Sequence, residues 1–197
     1  MTETAPGRRG PKRSEQSRSA ILAAAFEVTA EVGYRALTVE GIALRAGVGK
    51  QTVYRWWPSK ADVLLEALAV RADVEVSVDD RGSYRVELEE FCRDSFALLS
   101  VPGVAAALRG LMAEAQLGPD FGTRFRSGFL QRRRAALAEV LRRAHERGDA
   151  PHVAPDELVT DLVFGAIWYR LLATDRPLSE TDVSALCDLL GAAPAAP

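Results

Sequence analysis

Residues 38–60 read TVEGIALRAGVGKQTVYRWWPSK, and their reading decides the fold. The stretch predicts two short helices about a tight turn, closed by a proline and followed by a third helix start. The Thr38 hydroxyl can accept from an otherwise orphan backbone N–H and so cap the first helix. Ile42, Ala43 and Ala46 repeat at helical spacing as one apolar stripe. Gly47 stands where a left-handed residue is needed after a helix, and Val48 fills the corner. The second helix is expected over residues 49–56. Its Val53, with Trp57, can turn into a core, which leaves Lys50, Gln51, Thr52, Tyr54, Arg55 and Trp56 outward. Pro58 ends it, because proline disfavours helical geometry in the residue before it.

An outward face of Lys, Gln, Thr, Tyr and Arg is hard to use for packing. It suits a DNA major groove, which asks for bidentate donors to guanine and an amide to adenine. Two helices crossing at a glycine-containing turn make a helix-turn-helix. A helical hairpin with a merely solvated second helix is the plain alternative. The mixture of basic and aromatic residues, and the flanking sequence, weigh against it.

Totals narrow the classes further. The chain has 197 residues, of which 48% are hydrophobic, enough for a sizeable core. Its net charge of −2 hides an asymmetry: residues 1–60 carry ten Lys/Arg against five Asp/Glu, whereas residues 61–197 carry fifteen against twenty-two. A basic head on an acidic body implies an anionic partner at one end. The two cysteines, Cys92 and Cys187, lie far apart in sequence on apolar helical faces and read as small buried hydrophobes. No apolar run reaches membrane-spanning length and no signal peptide opens the chain, so a soluble cytoplasmic protein is expected. His145 and His152 have no cysteine or carboxylate at ligand spacing, and no phosphate loop, nucleophile elbow or dinucleotide fingerprint occurs. An enzyme, a metal site and a cofactor are therefore not expected.

Taken in order, residues 1–13 (MTETAPGRRGPKR) read as a disordered basic arm carrying Arg8, Arg9, Lys12 and Arg13. It is either an idle tail or an arm that follows phosphates or a narrow minor groove; its place before a DNA-binding unit favours the second. Helix one spans about 15–32, with Ile21, Ala25, Val28 and Val32 at helical spacing and Gly33 ending it. Ser59 caps the next helix, to about residue 76, with Asp62 completing an acidic capping box. Val63, Ala67, Val70 and Val74, with Leu64, Leu68 and Arg71 beside them, carry it, and Lys60 with the free N–H groups beside it reads as a phosphate site. This helix is the only evident link between head and body. Further helices follow over about 84–99, 102–117 with Pro102 in its first turn, 120–147, 155–173 and 179–190. Arg132, Arg133 and Arg134 read as a solvated face, and the tail 191–197 as disordered. The run LVTDLVFGAIWYRLL is apolar nearly all round, as in a helix buried on more than one side. No strand is predicted: the fold class is all-α, about nine helices.

The stretch LTVEGIALRAGVGKQTVYRWWPSKADVLLEAL (37–68), preceded by AAAFEVTAEVGY (23–34), resembles the TetR family of transcriptional regulators. The matching features are Gly-Tyr after helix one, a threonine opening helix two, Ala-Gly-Val at the turn, Tyr-x-x-Trp ending the second helix, and Ser-Lys beyond. The resemblance covers about 50 residues. It implies a helix-turn-helix domain at 14–58 and an effector-binding, dimerising body at 59–190. It also implies a homodimer through helices 155–173 and 179–190, on successive major grooves of a palindromic operator. Thr38, Thr52, Tyr54, Trp56 and Lys60 then stand as phosphate contacts, and Lys50, Gln51 and Arg55 as base readers. Gly49 departs from the family's usual capping side chain. The implied function is a repressor released by a small hydrophobic effector. For the pocket, Phe91, Ser95, Met112, Phe125, Phe129, Phe164 and Trp168 are candidates, each of which can equally be ordinary core. Arg109 and Arg170 could meet an acidic ligand group or form surface ion pairs. A ligand-independent DNA-binding protein would share the head but have a filled body, and a protein-interaction module would leave the residue 50–60 face unexplained.

Overall fold

The computed structural model describes residues 11–150, 154–174, 176 and 179–191. Among these there is no strand. The order is α1 (Pro11–Ala36), α2 (Val39–Arg45), α3 (Lys50–Tyr54), α4 (Lys60–Glu75), α5 (Tyr84–Ser100), α6 (Val104–Leu117), α7 (Pro119–Phe125), α8 (Gln131–Arg147), α9 (Asp156–Tyr169) and α10 (Glu180–Leu189). A π turn, Arg126–Leu130, joins α7 to α8, and a second, Arg170–Thr174, extends α9. With α7, its π turn and α8 taken as one rod, the described residues hold nine helices.

The head forms as its sequence demands. Thr38 Oγ1 accepts from the Gly41 amide at 3.0 Å and caps α2. At the other end Gly47 has φ +66°, and the amides of Val48 and Gly47 reach back to the carbonyls of Ala43 (3.0 Å) and Leu44 (3.2 Å). That crossed pair of bonds is a Schellman turn, which satisfies carbonyls that a helix end otherwise strands. Phe26, Leu37, Ile42, Val53 and Trp57 are buried together and hold α1, α2 and α3 in one small bundle.

Two expectations at the amino end change. Helix α1 begins at Pro11, so Lys12 and Arg13 lie in its first turn rather than in a disordered arm. Proline's fixed φ and missing N–H suit that first turn. Arg8 and Arg9 lie outside the described residues, as does the tail from residue 192.

In α4, Val63 and Ala67 are buried as expected, with Ala61, Leu64, Leu68 and Ala72, but Val70 and Val74 of the expected series are exposed. The helix is apolar on two faces; both are buried in its first half, and in its second half packing against α1 and α6 keeps Leu68 and Ala72 and leaves Val70 and Val74 out. Cys92 and Cys187 are both free and buried, as expected, and they meet although far apart in sequence. Helix α10 packs on α5 and sets one thiol against the other, and this hydrogen bond, with burial, raises the Cys92 thiol above its ordinary range.

Helices α5 and α6 turn on each other by 92°. This aims α6 back along α1 and makes a second link between body and head, beside α4. A Cβ on Gly103 would lie 2.6 Å from the Phe26 carbonyl oxygen, and one on Gly110 would lie 2.1 Å from Cγ of Tyr34. The Tyr34 hydroxyl donates to Glu114 on the same helix at 3.1 Å. Burial first, and Glu114 second, push that phenol well above its usual pKa. No single described helix is long and apolar enough to cross a membrane.

Candidate functional site

The outward side of α3 has the composition read from the sequence, with two changes. Lys50, Gln51, Tyr54 and Arg55 are exposed, while Val53 is wholly buried beneath them. Lys50 stands 3.5 Å from Glu40, a loose exposed pair of little energetic weight. Gln51, Tyr54 and Arg55 spend no side-chain hydrogen bond on the protein among the described residues. Thr38 is exposed and its oxygen is shared with the cap. Thr52 is half-buried. Gly49 caps α3 with its backbone alone.

Trp56 is the first change. It is half-buried, stacks on Trp57 with ring centres 5.6 Å apart, and carries the Arg18 guanidinium 5.8 Å above its ring. Arg18 is itself paired with Glu66, which accepts from the Trp57 indole at 2.7 Å. Only part of Trp56 therefore faces out, at the wall of a cleft of about 400 Å³ that Ser14, Ser17, Gly49, Thr52 and Arg55 also line.

Lys60 is the second change. Its ammonium donates to the carbonyls of Leu37 (2.9 Å) and Tyr34 (3.0 Å) and lies 4.6 Å from the centre of the Tyr34 ring. The chain kinks at Gly33, the Tyr34 carbonyl accepts only a long bond from the Leu37 amide (3.3 Å), and the nearest cation turns inward to serve the carbonyls there. Lys60 is a clasp between the ends of α1 and α4, not an open phosphate contact. Lys60→Met is expected to lower stability by about 1 kcal/mol, a charge-assisted bond at a partly exposed site. The salt dependence of DNA affinity should keep its slope; a slope flatter by about one in titrations against duplex would restore Lys60 to the phosphate contacts.

The body holds a second candidate, a cavity of about 40 Å³ walled by α5, α6, α8, α9 and the end of α4 at Val76. Ser95, Phe129, Phe164 and Trp168 line it as expected. Phe91 and Phe125 stand one layer back: Phe91 meets Phe164 edge-on at 6.2 Å, and Phe125 stacks on Phe129 at 5.9 Å. Met112 is not part of the wall; it packs against the core one turn beyond Leu108, and its sulfur accepts from Gln116 Nε2 at 3.6 Å. Leu108, from α6, completes the wall on the side facing the head. Both π turns contribute, through Phe129 and Leu130 in one case and Leu171 in the other. An extra residue in a helical turn re-aims the side chains after it, and such turns recur at functional sites.

The lining includes a residue that sequence reading put on the surface. Arg132 pairs with Asp73 and Arg134 with Asp161 (2.5 Å), both outside, but Arg133 is only 7% exposed and lines the cavity. Three successive helical residues span about 200° of arc, so one of them had to turn inward. The signal was the spacing of four through Phe125, Phe129, Arg133 and Leu137. Arg109 and Arg170 are engaged elsewhere, with the Leu171 carbonyl (2.9 Å) and Asp182 (3.7 Å).

Comparison with known proteins agrees with this two-part layout. Residues 21–67 match the family model described as bacterial regulatory proteins, tetR family, and residues 78–190 match one described as the tetracyclin repressor-like C-terminal domain. An uncharacterized HTH-type transcriptional regulator of Bacillus subtilis, YdeS, is 31% identical over 89% of this chain and 88% of its own. The HTH-type transcriptional regulator EthR of Mycolicibacterium smegmatis is 34% identical over 82% of this chain and 77% of its own. Among solved structures, the TetR family transcription regulator SCO0332 superposes with a TM-score of 0.75 at 31% identity, covering 91% of this chain and all of that one.

Proposed function

The chain belongs to the TetR family of helix-turn-helix transcriptional regulators, and from that premise we propose that it is a repressor that binds a palindromic operator as a homodimer and is released by a small apolar effector. The observation that carries the DNA reading is α3 itself. Five residues long, it buries Val53 and leaves Gln51 and Arg55 in solvent with their side-chain donors unused and Lys50 in only a loose pair with Glu40, the disposition that base edges require. In this reading Lys50, Gln51 and Arg55 read bases, while Thr38, Thr52, Tyr54 and the exposed edge of Trp56 touch phosphates. Arg8, Arg9, Lys12 and Arg13 follow the backbone beside them. Residues 14–58 form the DNA-binding unit and 59–190 the regulatory one.

Dimerisation is supported by α9. Leu158, Leu162, Tyr169 and Leu172 are each about half exposed or more, and with Gly165 they fall at intervals of four, three, four and three. That is the repeat of a helix whose seam faces another helix. Leu189, 77% exposed, continues the apolar surface onto α10. A two-fold pair of short recognition helices then sets the symmetry of the operator.

For release, the effector enters the cavity and acts on α4 and α6. Val76 ends α4 at the cavity wall, and α6 presents Leu108 to the cavity and Gly110 to Tyr34. A ligand that widens the cavity therefore moves both helices on which the head rests, and with them the separation of the two α3 helices. A coupling of about 1–3 kcal/mol suffices for a 5–150-fold loss of affinity. The small cavity also fits the other reading, a regulator with a filled body and no effector; the polar groups left without partners at its wall favour the switch.

The test is selection of bound duplexes from random DNA with the purified protein, which should return a palindrome. Arg55→Ala should weaken binding to that palindrome by about 1–3 kcal/mol and relax one base position in each half. An unchanged preference would remove Arg55 from the readers.

A further inference from the structure

Two residues of the cavity wall carry buried polar atoms that the protein does not satisfy, set just behind a surface that is apolar where the cavity is open. Ser95 is 8% exposed and its hydroxyl has no hydrogen-bond partner. Arg133 is 7% exposed, and its Nη2 is likewise sealed from solvent with nothing to donate to. No carboxylate faces the guanidinium at bonding distance. Asp73, the nearest acid to act on it, is taken by Arg132 on the outside. What Arg133 does have is the Phe91 ring, 5.0 Å from its central carbon. A ring face attracts the charge but accepts none of the in-plane N–H groups, and a guanidinium carries five. Burial accordingly lowers the Arg133 pKa from its ordinary value. The remaining lining, including Leu98, Leu108, Phe164, Ile167 and Trp168, is hydrocarbon and aromatic.

Buried unpaired charge is disfavoured, and a neutral side chain of similar length would pack this wall better. We propose that the effector is an apolar carboxylic acid whose carboxylate is held by Arg133 in a bidentate pair, with the Ser95 hydroxyl as a third donor and its apolar remainder on Phe129, Phe164 and Trp168. One guanidinium balances one negative charge, so a monoanion fits better than a doubly charged phosphate ester. The planar fork matches two carboxylate oxygens. This rests on the reading that the body takes an effector, and it names that effector's class.

The test uses full-length protein with octanoate, 4-phenylbutanoate and the corresponding alcohols as probes. Binding is read by calorimetry and by the change in tryptophan fluorescence that Trp168 adds to the constant emission of Trp56 and Trp57 in the head, and operator affinity is measured in parallel. Wild type should bind the acids at least about tenfold more tightly than the alcohols, the range for hydrogen bonds to a charged group. Arg133→Met should lose that preference while melting no lower than wild type, because it removes a buried charge and keeps the bulk. Ser95→Ala should lose a few-fold of acid affinity and none of the alcohol's. Equal binding of acid and alcohol by wild type, undiminished acid binding by Arg133→Met, or no acid bound at all would overturn the proposal. If the acids bind through Arg133 and operator affinity does not move, the carboxylate site stands and the switch falls. If neutral compounds alone release the operator, the switch stands and the carboxylate site falls.

Discussion

Glu87→Ala is expected to destabilise the protein by about 3–5 kcal/mol, the range for removing one partner of a buried ion pair. The Glu87 side chain is 1% exposed. One oxygen takes Nη2 of Arg143 at 2.7 Å, and the other takes Nη1 of Arg147 at 3.0 Å and the Arg81 amide at 3.2 Å. One carboxylate thus ties the first turn of α5 to the end of α8 and to the loop before α5. Alanine would leave Arg143, itself only 12% exposed, with Glu139 at 3.3 Å as its one acid beside the carbonyls of Val78 and Asp79, and would add to the burden of Arg147, whose Nη2 already lacks a partner. In a body this size the loss should lower the melting temperature by roughly 6–20 °C. Operator binding well below the transition should persist, since the cluster lies away from α3. Glu87→Leu combined with Arg143→Met should recover much of the loss, because the pair is then replaced by hydrocarbon. A single-mutant loss under about 1 kcal/mol would mean that both arginines swing into solvent.

The head was legible in the sequence because its determinants are local. Thr38, Gly47 and Ser59 act on backbone groups within five residues, and each caps or terminates the helix that its spacing predicted. The body was legible as helices but not as neighbours. Periodicity tells which face of α4 is apolar, but that helix has two such faces, and only the positions of α1 and α6 exclude Val70 and Val74. Lys60 failed for a related reason: a lysine beside a helix start suits a phosphate, yet the carbonyls exposed by the kink at Gly33 lie closer. The aromatic candidates sorted by depth. Phe129, Phe164 and Trp168 reach the cavity, Phe91 and Phe125 back them, and Met112 packs against the core one turn beyond the wall. Arg133 was hidden by its company, since three arginines in a row look like solvent.

Gly103→Ala is expected to undo the docking of α6 on α1, and with it operator binding. Gly103 precedes α6 with φ +85°, a conformation that disfavours an L side chain by about 1–2 kcal/mol. It also meets α1 backbone to backbone: the added Cβ would lie 2.6 Å from the Phe26 carbonyl oxygen and 3.2 Å from the Ala30 amide nitrogen. Neither atom can rotate away, so the helices must part, a further loss of about 1–3 kcal/mol by the measure of overpacked cores. Parting them lifts Gly110 from the Tyr34 ring and strains the Tyr34–Glu114 bond, whose other neighbour is the Lys60 clasp. The head then loses one of its two supports, and the two α3 helices of a dimer lose their fixed separation. Gly82→Ala supplies the control. Its φ is +73°, but an added Cβ meets nothing within 4 Å, so it carries the backbone strain without the clash. Melting of the two variants should differ by about 1–3 kcal/mol, with Gly82→Ala the more stable, and Gly103→Ala alone should bind the operator weakly at a temperature where it is still folded. Equal stability would show that α6 yields without moving α1, and equal operator affinity would mean that α4 carries the coupling by itself.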